Sequence, residues 1–221
     1  MNNQKYLKLR ENGANNLKNG NGLKNVDNLW DKYYLFPFFD TLFKILTDIH
    51  YNLYYKKILR NIKPRRMSIL ELGGGTGLLS YKIKKEYDTN PTIVDNNLNA
   101  NKKFLRYGFD RGYILSDVFK LKDRLKERKF DVVFSDCLLE HFRFNKRKKL
   151  IAIHKEFCKD KGYILITTPK PTIFSKFFSR FVVPEWGLSK KELIRLIENE
   201  RMNVLDVAEG LMYISALAKL T

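Results

Sequence analysis

The chain has 221 residues, 44% of them hydrophobic and 14% aromatic, with 42 Lys and Arg against 24 acids for a net charge of +18. That length and apolar content support one substantial core and argue against two full domains, and no uncharged apolar run approaches the ~18 residues that cross a bilayer. Cys137 and Cys158 have neither metal-ligand spacing nor a signal peptide nearby, so they read as buried thiols of a cytoplasmic protein, and no metal site is expected.

Residues 1–27, rich in Asn, Lys and Gly, cannot bury enough apolar surface to offset the entropy of ordering and are expected to be flexible. Residues 28–65 read as an N-terminal helical extension. From Trp30 to Leu59 the apolar positions Phe38, Leu42, Ile45, Ile49 and Leu53 recur at helical spacing, which predicts an amphipathic helix broken or started at Pro37, closed by Pro64 and packed on the following sheet domain. Its aromatics, Trp30, Tyr33, Tyr34, Phe36, Phe38 and Phe39, are candidates to cover a pocket.

Residues 66–221 form the α/β domain. Ser68 to Gly77 is a short apolar run interrupted by Glu71, followed by glycines at 73, 75 and 77, the pattern of a buried parallel strand turning into a helix around a nucleotide-like ligand. The third glycine comes one residue earlier than in a dinucleotide-binding turn, and Glu71 beside the loop repels phosphate while attracting an amino group. Pro91 to Asp95 reads as the second strand, its terminal acid 24 positions after Glu71, near the ~20 expected for such a βαβ unit. Gly112 to Val118, containing Asp117, reads as the third, and the segment Phe130 to Phe142 contains the fourth.

A helix from Asn145 to Lys159 follows, presenting Leu150, Ile153, His154 and Phe157 on one side, then a continuous fifth strand from Gly162 to Pro169. The segment Lys170 to Leu188 sets Ile173, Phe174, Phe177 and Phe178 among cations. It reads as a lid over an acceptor or as a basic stretch lying in a membrane interface. Residues 189–201 form a helix capped by Ser189, and 203–208 and 211–219 two last strands joined at Glu209-Gly210.

The charge is spread along the chain. Residues 1–66 carry 13 Lys and Arg against 5 acids, and the rest carry 29 against 19. A compositional bias over a solvated surface and a nucleic-acid or membrane footprint explain this equally well; the densest run, Lys146 to Lys149, opens a helix.

These landmarks, in this order, resemble the class I S-adenosylmethionine (SAM) dependent methyltransferases, in particular the methyltransferase type 11 and quinone-methyltransferase group, whose first motif reads Glu-x-Gly-x-Gly-x-Gly. The resemblance covers roughly residues 66–219. It implies a Rossmann-like, mostly parallel sheet of seven strands in the order 3-2-1-4-5-7-6, the last strand antiparallel, with helices on both faces. SAM is the implied cofactor, held by Glu71, Gly73, Gly75, Gly77, Asp95, Asn96, Asp117, Val118 and Ser135. Within that set Asp95 would accept from the ribose hydroxyls and Asp117 from the adenine amino group, while Glu71 would either orient the methionine amino group or brace the loop. Asp95 and Asp117 also have a plainer reading as helix caps. His141, at the end of the fourth-strand segment, is the candidate general base, with an equally open role bracing the turn beside Glu140.

The implied acceptor is a small molecule or lipid-like compound, with peripheral membrane contact as a further expectation. An RNA-directed enzyme or a non-catalytic SAM-binding module is the alternative. Ser135-Asp136-Cys137-Leu138 stands where enzymes that methylate exocyclic amino groups of nucleic-acid bases carry Asn-Pro-Pro-Tyr or Asp-Pro-Pro-Tyr, which disfavours that chemistry.

Overall fold

The computed structural model of the chain describes residues 30, 34, 37–107, 112–172 and 187–220. Residues 1–27, Tyr33, Phe36 and the aromatic stretch 173–186 lie outside the described residues. The strands are β1 (Ser68–Leu72), β2 (Asn90–Asp95), β3 (Tyr113–Leu115), β4 (Phe130–Asp136), β5 (Cys158–Pro169), β6 (Met202–Glu209) and β7 (Tyr213–Leu220). They form one sheet in the order β3-β2-β1-β4-β5-β7-β6. β1 to β5 run parallel, and β7 is antiparallel to both β5 and β6, as expected. Leu72 sits level with Val94 of β2 and Ser135 of β4, so the carboxyl ends of the three central strands finish at one edge.

Helices cover both faces, which is why the central strands read as nearly continuous apolar runs. On one face α6 (Phe144–Phe157) and α7 (Lys190–Asn199) set Leu150, Ile151, Leu193 and Ile197 against Leu70, Val133 and Ile164. On the other, α3 (Leu78–Tyr87) and the N-terminal helices set Ile83, Tyr55 and Ile58 against Ile69, Phe134 and Leu165. The N-terminal extension therefore shares a core with the sheet. Two shorter helices, α4 (Leu98–Arg106) and α5 (Leu121–Leu125), follow β2 and β3.

The extension is helical but differs from the expected stripe. Helix α1 (Pro37–His50) passes into a π-helical turn, Tyr51–Tyr55, and then α2 (Lys56–Ile62), which ends at a left-handed Lys63 just before Pro64. Tyr51, Tyr54, Tyr55, Ile58, Leu59 and Ile62 are buried, whereas Ile45, Ile49 and Leu53 of the predicted stripe are 50% or more exposed. The π-turn inserts residues at wider pitch and so shifts the phase of the helix. The buried stripe is led by tyrosines, whose apolar bodies pack on the sheet while their hydroxyls keep polar character.

Other boundaries moved for local reasons. The third strand stops at Leu115 because the Asp117 carboxylate caps a 3-10 turn, Val118–Lys120, accepting from Phe119 N–H at 2.9 Å. β5 starts at Cys158, paired with Phe130 before a register shift, so the preceding helix ends two residues early at Phe157. Ser189 caps α7 as expected, in a reciprocal box with Glu192.

His154, on α6, is fully buried beneath the sheet. Its Nδ1 lies 2.7 Å from Leu150 O and its Nε2 2.9 Å from Ser135 Oγ. A carbonyl only accepts, so Nδ1 carries the proton and the Ser135 hydroxyl donates to Nε2. Burial pushes the His154 pKa down to about 4, against 6.5 for a free imidazole. The unfolded chain then takes up this proton before the folded one does. The stability contributed is complete above pH 6.5 and is lost as pH falls toward 4, in total on the order of 3 kcal/mol. Urea denaturation at pH 7 and pH 5 should show part of that loss, and His154→Gln should flatten the pH dependence relative to wild type.

Candidate functional site

β1 ends at Leu72 and the chain turns through Gly73, Gly75 and Gly77, with φ of 67°, 53° and 73°. These left-handed values strain any side chain. At Gly77 space forbids one as well, since a Cβ there would stand 2.8 Å from Ile93 Cδ1 and 2.9 Å from the Phe104 ring. The absent Cβ lets α3 begin directly against β2 and α4, as Gly77 provides its N-cap without a side-chain bond.

The loop is tied to the end of β2. Gly73 and Gly74 N–H both donate to Val94 O, at 2.7 and 3.2 Å. Gly75 N–H donates to Asp95 Oδ2 at 2.8 Å, while Asp95 Oδ1 accepts from Asn97 N–H at 2.8 Å. Tyr113 Oη donates to Gly75 O at 3.1 Å. A Cβ on Gly75 would lie 2.8 Å from Tyr34 Oη, so the N-terminal segment roofs the loop, and Trp30 stacks on Tyr34 and meets the His141 ring edge-on. Of the aromatics expected to cover the pocket, Trp30 and Tyr34 stand there.

Glu71 is buried below the loop. Its Oε2 lies 2.5 Å from Ser80 Oγ, and its carboxyl fills the space a Cβ on Gly74 would need. Desolvation, opposed by the Ser80 hydrogen bond and reinforced by the charges of Asp136 and Asp95, pushes its pKa up to about 8. Glu71 thus packs against the underside of the loop at Gly74. Three carboxyl groups, from the ends of β1, β2 and β4, sense each other across this edge.

The remaining expected contacts divide. Asn96 is exposed between Asp95 and Asn97, and Asn97 caps α4 by accepting from Asn99 and Ala100 N–H. Asp117 is exposed at the same edge, and Val118 is buried in the core beside it. The Ser135 side chain is committed to His154, which leaves its backbone for any ligand contact. His141 lies in the 3-10 turn Leu139–His141, its Nδ1 buried without a hydrogen-bond partner. Burial, partly offset by the Cys137 backbone, lowers its pKa to about 4, so it is neutral at pH 7.

Two further residues stand at this edge that motif and periodicity did not single out. Asp136 ends β4, and His50, the last residue of α1, brings Nδ1 to 3.4 Å from Asp136 Oδ2. Asp136 could have been found as the terminal acid of a strand in the motif segment. His50 carries no local signal, because only the phase of the π-turn brings it to the sheet. His50, Asp136 and Cys137 place their ligating atoms within 4.8 Å of one another, the one grouping of metal-binding type among the described residues.

Residues 48–206 match the family described as "Methyltransferase domain". A search of curated proteins found no match. Among solved structures, a SAM dependent methyltransferase from Archaeoglobus fulgidus is 18% identical with a TM-score of 0.60, covering 75% of this chain and 92% of its own. Magnesium protoporphyrin IX methyltransferase from Synechocystis PCC 6803, solved with SAH, is 10% identical with a TM-score of 0.63, covering 88% and 94%. An O-methyltransferase family protein from Burkholderia thailandensis is 15% identical with a TM-score of 0.63 over 72% of this chain, which spans 52% of that one. With the glycine loop, the strand order and most of its length in agreement, the chain belongs to the methyltransferase domain family and is a class I SAM-dependent methyltransferase.

Proposed function

We propose that the protein methylates a small, partly apolar acceptor at the carboxyl edge of β4 and β5. The observation that carries this reading is the convergence of Glu71, Asp95 and Asp136 on one glycine loop. The set fits SAM, a cation with a sulfonium, an ammonium and a ribose diol: the carboxylates oppose its charge, and the loop offers backbone without side chains. When bound, SAM supplies an already activated methyl group, so alignment and exclusion of water make up most of what the protein adds. Asp95 is the residue we assign to the ribose, Asp117 to the adenine edge, and Glu71 to the loop and the ammonium above it.

The acceptor side is supported by one feature. Segment 171–187 leaves and returns at one point, since Leu188 N–H donates to Pro169 O at 3.0 Å and Gly187 packs on Lys170. Pro169, Lys170, Gly187 and Leu188 thereby close the end of β5, and there we assign the acceptor. In the densest basic run Arg147 is held by the protein, while Lys146, Lys148 and Lys149 are exposed. Arg147 Nε–H donates to Leu139 O and Phe142 O, and Lys146 and Lys148 sit over the rings of Phe119 and Phe144. No described helix is long and apolar enough to cross a membrane.

Incubation with methyl-labelled SAM and a cell extract separated into metabolite, lipid and RNA pools should place label in the first or second. Label in RNA alone would overturn the acceptor class. Calorimetry should show Asp95→Ala binding SAM more weakly by about 1.5–3 kcal/mol, the worth of a hydrogen bond to a charged group; unchanged affinity would remove Asp95 from the ribose. Glu71 makes a further test. With a pKa of about 8 its carboxyl is mostly protonated at pH 7, and a cation bound beside it favours ionisation. SAM binding at pH 7 should therefore release up to about one proton, read as a dependence of the binding heat on buffer ionisation enthalpy. The effect should fade at pH 9, where the group is already ionised, and vanish in Glu71→Gln.

A further inference from the structure

We infer that His50 and Asp136 form a general-base pair for the methyl acceptor, with Nε2 of His50 as the atom that takes the proton. The inference rests on the methyltransferase reading above.

Three observations carry it. His50 Nδ1 lies 3.4 Å from Asp136 Oδ2, and a carboxylate at that distance favours hydrogen on Nδ1 and the lone pair on Nε2. Nε2 is buried and has no hydrogen-bond partner, a costly state for a structural histidine. Packing holds the rest of the ring: Tyr213 stacks on it at 4.4 Å, and Tyr54 and Tyr55 meet it edge-on at 5.0 and 5.6 Å. Such a cage orients an imidazole without occupying its second nitrogen.

The position suits the task. Asp136 ends β4, two residues before Leu138, whose side chain fills the space a Cβ on Gly73 would take, and its charge is felt by Glu71. The pair thus adjoins the cofactor loop on the side of β5 and β7, beneath the anchor of segment 171–187. Cys137, next in the chain, adopts a left-handed φ of 52°, the kind of backbone strain that gathers at functional sites. His50 itself begins a π-turn, a feature with the same tendency.

Two competing assignments explain less. His141, the candidate from sequence, has no carboxylate within the contacts described and is desolvated to a pKa of about 4, too weak a base for an acceptor of ordinary acidity. A metal ion on Nδ1, Asp136 and Cys137 would leave Nε2–H buried without the acceptor that metal-bound imidazoles use.

In the step assigned, an acceptor X–H gives its proton to Nε2 while a lone pair on X forms the bond to the methyl carbon. The C–S bond breaks with its electron pair passing to sulfur, leaving a methylated acceptor, a neutral thioether and an imidazolium beside Asp136. Water then removes the proton from Nε2.

The test uses the full-length protein with methyl-labelled SAM and the metabolite and lipid fractions of a cell extract. His50→Gln should bind SAM as wild type does by calorimetry. His50→Gln should lose transfer by 10²- to 10⁴-fold, the range of general-base catalysis, and Asp136→Asn by a smaller factor. Added imidazole should restore part of the transfer in His50→Ala, an outcome that a purely structural role does not give. Transfer within threefold of wild type in His50→Gln, or no imidazole rescue, would overturn the inference. If wild type binds SAM but labels nothing, the enzymatic reading fails separately, and ¹⁵N NMR of histidine decides the pair on its own. Hydrogen on Nδ1 of His50 that moves to Nε2 in Asp136→Asn upholds the geometry, and hydrogen on Nε2 in wild type removes it.

Discussion

The structure depends on how the end of β2 holds the glycine loop. Gly73 and Gly74 both bond to the Val94 carbonyl of that strand and Gly75 to the Asp95 side chain, so the loop has no freedom to follow its own preferences. Every other feature of the site is measured from it. Leu138 of the fourth-strand segment packs where Gly73 lacks a side chain, Glu71 fills the space under Gly74, Tyr34 stands over Gly75, and α4 meets α3 at Gly77. Replacing Gly73, Gly75 or Gly77 would require both a left-handed backbone and a displaced neighbour, and replacing Gly74 a displaced neighbour.

A consequence is that polar groups at the sheet edge are shared between fold and chemistry. Asp95 both caps the turn into α4 and ties the loop, and Asp117 caps a 3-10 turn. The capping and ligand-binding readings of these acids are compatible, because a carboxylate has lone pairs for two kinds of donor. Glu71 is the clearest case. Removed from water and hydrogen-bonded to Ser80, it holds a proton near neutral pH and stays responsive to a cation arriving above it.

Legibility in the sequence followed the physics of each element. Buried parallel strands are dense in apolar residues and end at loops, so β1, β2, β4 and β5 were visible, as was the loop, since its alternating glycines have few other uses. The capping box at Ser189 was visible because it is local. The N-terminal helix misled for a physical reason: two apolar stripes compete on it, and the aliphatic one, Ile45, Ile49 and Leu53, lost to one led by Tyr51, Tyr54 and Tyr55 once the π-turn shifted the phase. Hydropathy ranks a tyrosine below an isoleucine, whereas a flat sheet face receives its ring well. His50 was lost with that stripe. Ser135, picked from its motif, faces a buried histidine 19 residues away in a pairing that spacing does not encode.

Asp136 belongs at once to two neighbourhoods: it faces His50 on one side and contributes to the field that keeps Glu71 neutral on the other. On the placement proposed for donor and acceptor, occupancy of the one and ionisation of groups near the other are thermodynamically linked, with no moving part needed between them. By reciprocity, whatever free energy the loaded donor confers on the acceptor side is returned in full when the acceptor arrives first. A single carboxylate at the tip of a central strand is enough to make the two half-sites read each other.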